Sequence, residues 1–389
     1  MAHREDPLLL TPGPLTTSRA TKEAMLRDWG ARDDAFLAMT RRIRARLVEL
    51  AGGEGTHEAV LLQGSGTFAV EAMVGTLVPR EGTVLVLQNG AYGERIARIA
   101  RTLGRRTVVL EAPEDRPVDP QAAADAVSRD PSITHVAVVY CETTSGILNP
   151  VEEVARVVAA AGRRLLIDAM SAFGALPCDA REIPFDALAA SANKCLEGVP
   201  GVAFVLCRRS SLREAAGNAH SVALDLHDQW AYMEQTGQWR FTPPTHVVAA
   251  LDRALAEHAA EGGVAGRADR YRRNCRVLVR GMREMGFVPL LPDALQAPVI
   301  VTFHTPRDPR FVFREFYERL RAHGYVIYPG KLTKGETFRI GCIGRITESD
   351  VRGVLAAIRH VLADMGVPPP VSSGGEGADR SSPGRGVGP

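Results

Sequence analysis

A chain of 389 residues, 45% of them hydrophobic, is longer than a single core usually organises, so two packed domains are expected. Its 47 basic and 45 acidic side chains leave a formal charge of only +2, spread along the chain, which excludes an electrostatic footprint for nucleic acid or an anionic membrane and leaves a small-molecule partner. Six cysteines without a C-x-x-C pair, three N-terminal leucines broken by prolines, and no apolar run near twenty residues predict a reduced, cytoplasmic protein without a secretion signal or membrane span.

In chain order, an N-terminal segment, 1–20, is expected to pack with the smaller domain, and an amphipathic helix is expected from near residue 19. From residue 59 short apolar runs alternate with helical patterns. AVLL precedes a glycine turn and FAVEAMVGTLV; TVLVL precedes Asn89 and AYGERIARIARTL; HVAVVY precedes a loop and PVEEVARVVAAAG. That alternation predicts an α/β domain, a mostly parallel sheet wrapped by helices. RLLIDA (164–169), FDALAAS (185–191) and GVAFVLC (201–207) supply further strands of a large domain over 21–245. Beyond it a long helical stretch runs from HVVAALDRALAEHAA through RYRRNCRVLVRGMREMG. The strand PVIVTFHT, the helix DPRFVFREFYERLRAHG and the short strands YVIYP and TFRIG complete a smaller α+β domain over 246–366. Residues 367–389, dominated by Pro, Gly and Ser, are expected to be disordered.

Three features carry chemistry. QGSGTFA (63–69) lies between a strand and a helix, where backbone N–H groups can cradle a phosphate. The same letters fit G-x-G-x-x-A at Gly64, Gly66 and Ala69, which would suit a nicotinamide dehydrogenase. That alternative needs an acidic residue after the next strand, and Gln88 and Asn89 stand there. Asp168 ends a buried strand, where ligands of open α/β sheets bind and where a carboxylate is costly unless cations or donors face it; a turn-forming role is the plainer alternative. Lys194 follows another strand, and it is one of four lysines against 43 arginines. Lysine alone of the two can lose its proton when desolvated and attack a carbonyl. A phosphate cradle, a strand-end carboxylate and such an amine are what pyridoxal 5′-phosphate requires for its phosphate, its ring nitrogen and its aldehyde. No metal is expected.

LLLTPGPL, RDWGARD, LLQGSGTFAVEA, NGAYGER, CETTSGILNP, IDAMSAFG, SANKCLEGVPG, RFTPPTH and FRIGCIG follow one another over roughly residues 8 to 362. In this order they resemble the class V aminotransferases, the alanine:glyoxylate aminotransferase superfamily of fold-type I enzymes. The resemblance implies a seven-stranded, mostly parallel sheet in the large domain and a homodimer with active sites at its interface. It implies amino-group transfer from a small amine donor to a keto acid by a ping-pong cycle. The strings come nearest to members that take a phosphonate-bearing amine, with carboxylate donors as the competing class. Lys194 is implied to be the amine that joins the cofactor and shuttles the proton, and Asp168 the partner of the ring nitrogen. Ser65, Gly66 and Thr67 match the phosphate loop, with Asn193 assisting. Thr143 and Thr144 match the segment lining the ring, without a choice between them. Thr242 is implied to reach the other subunit's cofactor, and Arg339 to grip the acidic end of the substrate. Cys342 stands where a polar residue is expected.

Overall fold

The computed structural model describes residues 6–331, 335–367 and 370–371. In chain order the first elements are β1 (Leu8–Leu9), α1 (Arg19–Glu23), α2 (Asp34–Leu50), β2 (His57–Gly64), α3 (Gly66–Leu77), β3 (Thr83–Gln88) and α4 (Ala91–Thr102). β4 (Arg106–Glu111), α5 (Pro120–Arg129), β5 (Ile133–Val139), β6 (Cys141–Glu142), β7 (Ile147–Leu148), α6 (Val151–Ala160), β8 (Arg164–Asp168), β9 (Ala187–Ser191) and β10 (Gly201–Arg208) follow. The remainder comprises α7 (Arg209–Glu214), α8 (Leu226–Thr236), α9 (Thr245–Ala260), α10 (Gly263–Glu284), β11 (Ile300–His304), α11 (Phe313–Ala322), β12 (Tyr325–Val326), β13 (Tyr328–Pro329), β14 (Thr337–Gly341) and α12 (Glu348–Asp364).

The main sheet has seven strands in the order β2-β10-β9-β8-β5-β3-β4, and only β10 runs against its neighbours. Its strands read as continuous apolar runs because both faces are covered. Strand periodicity deals alternate residues to two cores: Leu61, Leu85, Leu87, Val136, Val138 and Ile167 enter one, while Val60, Val84, Val86, Ala137 and Leu166 enter the other. The parallel register sets Val139 beside Asp168 and Asp168 beside Ala189, so the carboxyl ends of β5, β8 and β9 share one edge.

A separate core lies around the three-stranded sheet β11-β14-β13, with Phe303 stacked on Phe338 at 5.8 Å between ring centres. β1 pairs in parallel with β12, and Leu8 and Leu10 enter this second core. The long helical stretch divides at Gly262 and Gly263, whose φ values of 99° and 66° are left-handed and admit the turn. α9 sends Val248, Leu251 and Leu255 into the core of the main sheet, whereas α10 sends Leu278 and Met282 into the second core. A boundary at 245 therefore cuts through one packed body, and we propose that the domains divide at Glu261–Gly262. The expected disorder from 367 does not begin there: Val367 and Val371 are buried in the second core and Val371 N–H donates to Met285 O at 2.9 Å. Residues 368–369 and 372–389 of that stretch lie outside the described residues.

Candidate active site

Asp168 closes β8 and is buried, with Met170 N–H donating to its Oδ1 at 3.0 Å. Burial is the main force lifting its pKa to about 6; the Met170 amide and the positive charges of Arg95 and Lys194 pull the other way, and Glu142 adds to the rise. Lys194 stands three residues beyond β9. Its Nζ donates to Pro12 O at 2.7 Å and Gly13 O at 3.2 Å, and burial lowers its pKa to about 8 against the opposing pull of the Cys195 thiol and Asp168. An amine held between neutral carbonyls rather than in an ion pair gives up its proton more readily.

The N-terminal segment thus roofs the lysine, and it must be glycine at position 13. Gly13 has φ of 107°, and a Cβ there would stand 2.6 Å from Lys194 Cδ, 2.8 Å from Asn193 O and 2.9 Å from Lys194 Nζ. Gly13→Ala should therefore displace the amine and cost about 1–3 kcal/mol of stability through backbone strain. We expect thermal unfolding to move down by that amount and turnover to fall roughly tenfold or more. Unchanged turnover would mean that the roof yields instead.

Ser65, Gly66 and Thr67 open α3 at the end of β2, which β10 separates from β9, and the Ser65 side chain makes no capping bond to the helix. The leading N–H groups are left for an anion, favoured further by the helix dipole. A Cβ at Gly66 would meet Met170 Sδ at 2.5 Å, so a larger residue there would have to move the Met170 side chain. Ser65, Gly66, Thr67, Thr143, Asp168, Asn193 and Lys194 line one cavity together with Tyr92 and Arg95, to which the sequence reading gave no role. Arg95 Nη1 donates to Thr67 Oγ1 at 3.3 Å. The string NGAYGER was the signal that could have found both.

The paired threonines diverge. Thr143 lines the cavity, but Thr144 turns away: its Oγ1 donates to Glu142 Oε1 at 2.5 Å and accepts from Ala91 N–H at 3.2 Å. Glu142 also accepts from Tyr92 N–H at 3.0 Å, so this buried carboxylate caps α4 and engages Thr144 as part of that cap. Of the two threonines between which the sequence made no choice, Thr143 is the one in the lining of the cavity. Arg339, on β14, is buried; its Nη1 donates to Thr143 O at 2.8 Å and its Nε to Pro329 O at 3.0 Å. Two of its five N–H donors are thereby fixed; Arg339 is not in the lining of the cavity itself, though its charge bears on Lys194. Thr242 is exposed and not in the lining of this cavity. Cys342 is buried in the second core.

Behind Lys194 lies a buried ionic knot. Glu197 has φ of 61°, unusual for a residue with a side chain. Its Oε1 accepts from Arg270 Nη2 at 2.7 Å and Tyr271 OH at 2.6 Å, while Arg267 Nη1 donates to Cys195 O at 2.5 Å. Arg270 also donates to Gly344 O, so α10 ties the lysine loop to the chain just beyond Arg339. Glu197→Gln keeps the volume but leaves two buried guanidinium groups short of a counter-charge. It should cost about 3–5 kcal/mol in urea unfolding, as removal of one partner from a buried pair does. A loss below about 1 kcal/mol would show that Glu261, which also pairs with both arginines, suffices alone.

A cavity with open helix N–H groups at one end, a buried carboxylate and an amine that gives up its proton more readily than an ordinary lysine fits pyridoxal phosphate in each of its functional groups. A dinucleotide fits poorly: Asn89, where the ribose-binding acid would stand, is buried and bound to Asn149 and Arg116 O. The family pattern described as Aminotransferase class-V matches residues 20–308. The chain is 58% identical over 361 residues, 93% of this chain and 96% of the relative, to a Burkholderia lata protein named 2-aminoethylphosphonate--pyruvate transaminase 2. A Pseudomonas fluorescens protein named 2-aminoethylphosphonate--pyruvate transaminase is 57% identical, covering 93% of this chain and 98% of its own. The crystal structure of an alanine–glyoxylate aminotransferase from Nostoc sp. shares the fold, with a TM-score of 0.86 at 23% identity over 92% of this chain and 96% of that one. Strand ends, phosphate loop and family pattern converge: the chain belongs to the class-V aminotransferases, enzymes of fold type I that depend on pyridoxal phosphate.

Proposed function

We propose that this protein moves the amino group of 2-aminoethylphosphonate to pyruvate, giving phosphonoacetaldehyde and L-alanine. The observation that carries this reading is the 58% identity, over nearly the whole chain, to a relative so named. Arg339 supports it, because its charge bears on Lys194 and a guanidinium suits a phosphonate in one half-reaction and the pyruvate carboxylate in the other. Pyridoxal phosphate, when bound, supplies an electron-withdrawing ring that accepts the charge left as a substrate carbon loses its proton. The chain's residues do the rest. Ser65, Gly66 and Thr67 hold the phosphate, Thr143 and Asn193 border the ring, and Asp168 holds a proton on the ring nitrogen. Lys194 Nζ takes the proton from the substrate carbon and returns it elsewhere, as a general base whose pKa lies near neutrality must.

The reaction runs in two halves, the aldehyde leaving before the keto acid enters. We further infer a homodimer. Phe68 and Phe241 are 49% and 46% exposed, beside Thr67 and Thr242, and a second copy covering them would bring Thr242 to its neighbour's site. Among the described residues no helix is long and apolar enough to cross a membrane, and all six cysteines are free and buried, which supports placement in the cytoplasm. The experiment is to supply purified holoenzyme with 2-aminoethylphosphonate and pyruvate and to measure alanine. Absence of alanine alongside brisk turnover of serine or glyoxylate would transfer the reading to a carboxylate-donor aminotransferase.

A further inference from the structure

Lys331, another of the four lysines, emerges from the hairpin that secures Arg339. β13 pairs with β14, Pro329 O accepts from Arg339 Nε, and Gly330 N–H donates to Thr337 O at 2.8 Å, so the residue before Lys331 is fixed to the acid-binding strand. The Lys331 ammonium stands 5.4 Å from the centre of the Tyr92 ring, and Tyr92 lines the cofactor cavity. Arg95 approaches the same ring, its guanidinium carbon 4.9 Å from the centre. Two cations thus gather about one tyrosine at the cavity, and the charge of Arg339 bears on Lys331 as well. The negative group beside them, Glu142, is buried and engaged by the α4 amides and Thr144. Partial burial and the repulsion of Arg95 and Arg339 both press the Lys331 ammonium toward losing its proton. Lys331, Arg95 and Arg339 outnumber Glu142 and Asp168, the buried carboxylates that bear on them, and such an excess favours an incoming anion of more than one charge.

A carboxylate has one charge and two oxygens, which a guanidinium fork satisfies. A phosphonate near neutral pH approaches two charges and has three oxygens, so the fork of Arg339 leaves one oxygen and much of one charge unmet. A lysine ammonium is a compact point charge with rotatable donors, suited to that remainder. We propose that Lys331 is a specificity-determining residue that selects a phosphonate dianion over a carboxylate by engaging the oxygen Arg339 leaves free. The assignment rests on the phosphonate reading above.

The test compares two amines on the same holoenzyme. Wild type, Lys331→Met and Lys331→Arg are mixed with 2-aminoethylphosphonate or with L-alanine, without a keto acid, and conversion of the cofactor to its amine form is followed by absorbance against amine concentration. Lys331→Met should shift the preference for the phosphonate over alanine by roughly 10- to 100-fold, the size expected for one charged hydrogen bond. Lys331→Arg should recover most of that preference. The wild-type preference should also rise as pH passes upward through the second phosphonate ionisation near about 6 and flatten in Lys331→Met. Equal losses for both amines, or none for either, in an enzyme whose wild type reacts with both would overturn the role of Lys331 alone. Wild type that reacts with alanine and ignores the phosphonate would overturn this assignment and the function together.

Discussion

Lys194→Ala should leave a folded protein that has lost amino transfer by roughly a thousandfold or more, because in the proposed mechanism one residue supplies both the covalent anchor and the moving proton. The two bonds that the ammonium makes, to Pro12 O and Gly13 O, hold the roof rather than the core, so stability should change little. Borohydride reduction followed by mass spectrometry of peptides gives a readout independent of turnover. Wild type should carry the reduced cofactor on Lys194, and the variant should carry none there. The pH dependence has a definite sign. Only the neutral amine attacks a carbonyl, and a pKa near 8 makes it roughly a quarter neutral at about pH 7.5, against about one part in a thousand for an ordinary lysine. Attachment of pyridoxal phosphate to cofactor-free protein should therefore speed up with pH and level off above about 8 rather than above about 10. A midpoint near 10 would mean that burial does not act on this amine.

The residues that announced themselves in the sequence are those whose chemistry is costly where strand periodicity puts them. A carboxylate at the end of RLLID and a lone lysine in an arginine-rich chain stand out because each is expensive or rare in its place. The alternation of apolar runs and helical patterns gave six strands of the main sheet for the same reason, since strands covered on both faces need unbroken apolar sequence, and the count of seven came from the resemblance. β4 escaped: RTVVLE is a half-exposed edge strand bounded by charge, so its periodicity is diluted. The choice between Thr143 and Thr144 was closed to sequence because it depends on Glu142, whose direction is set by the amides of α4. Arg339 was readable only through resemblance, because the carbonyls that aim it belong to Pro329 and Thr143, 10 and 196 residues away. The ionic knot at Glu197 is equally non-local, joining α10 to the lysine loop. Local pattern specifies elements; side-chain direction is decided by partners distant in the chain.

Asp168→Asn should separate what this carboxylate does for catalysis from what it costs the fold. The amide matches it in size, and its oxygen can still accept from Met170 N–H, but the charge proposed to hold a proton on the ring nitrogen is gone. Turnover should fall by roughly a hundred- to a thousandfold, the loss typical when one preorganised electrostatic group is removed. Stability should move the opposite way in the protein freed of cofactor. The folded pKa, about 6, lies above the unfolded value near 3.8, so the folded state holds the proton more tightly and stability is lost as pH rises between the two. Above about pH 6 the penalty is fully present, of the order of 3 kcal/mol. Asp168→Asn should thus stabilise the cofactor-free protein by up to about that amount at about pH 8 and have little effect near about pH 4. Bound pyridoxal phosphate supplies the opposite charge, so the gain should shrink or reverse in the holoenzyme. Urea unfolding at the two pH values, with and without cofactor, reads all four cases. A variant no more stable than wild type at about pH 8 without cofactor would mean that Asp168 is not ionised against its surroundings, and the electrostatic account of its role would fail.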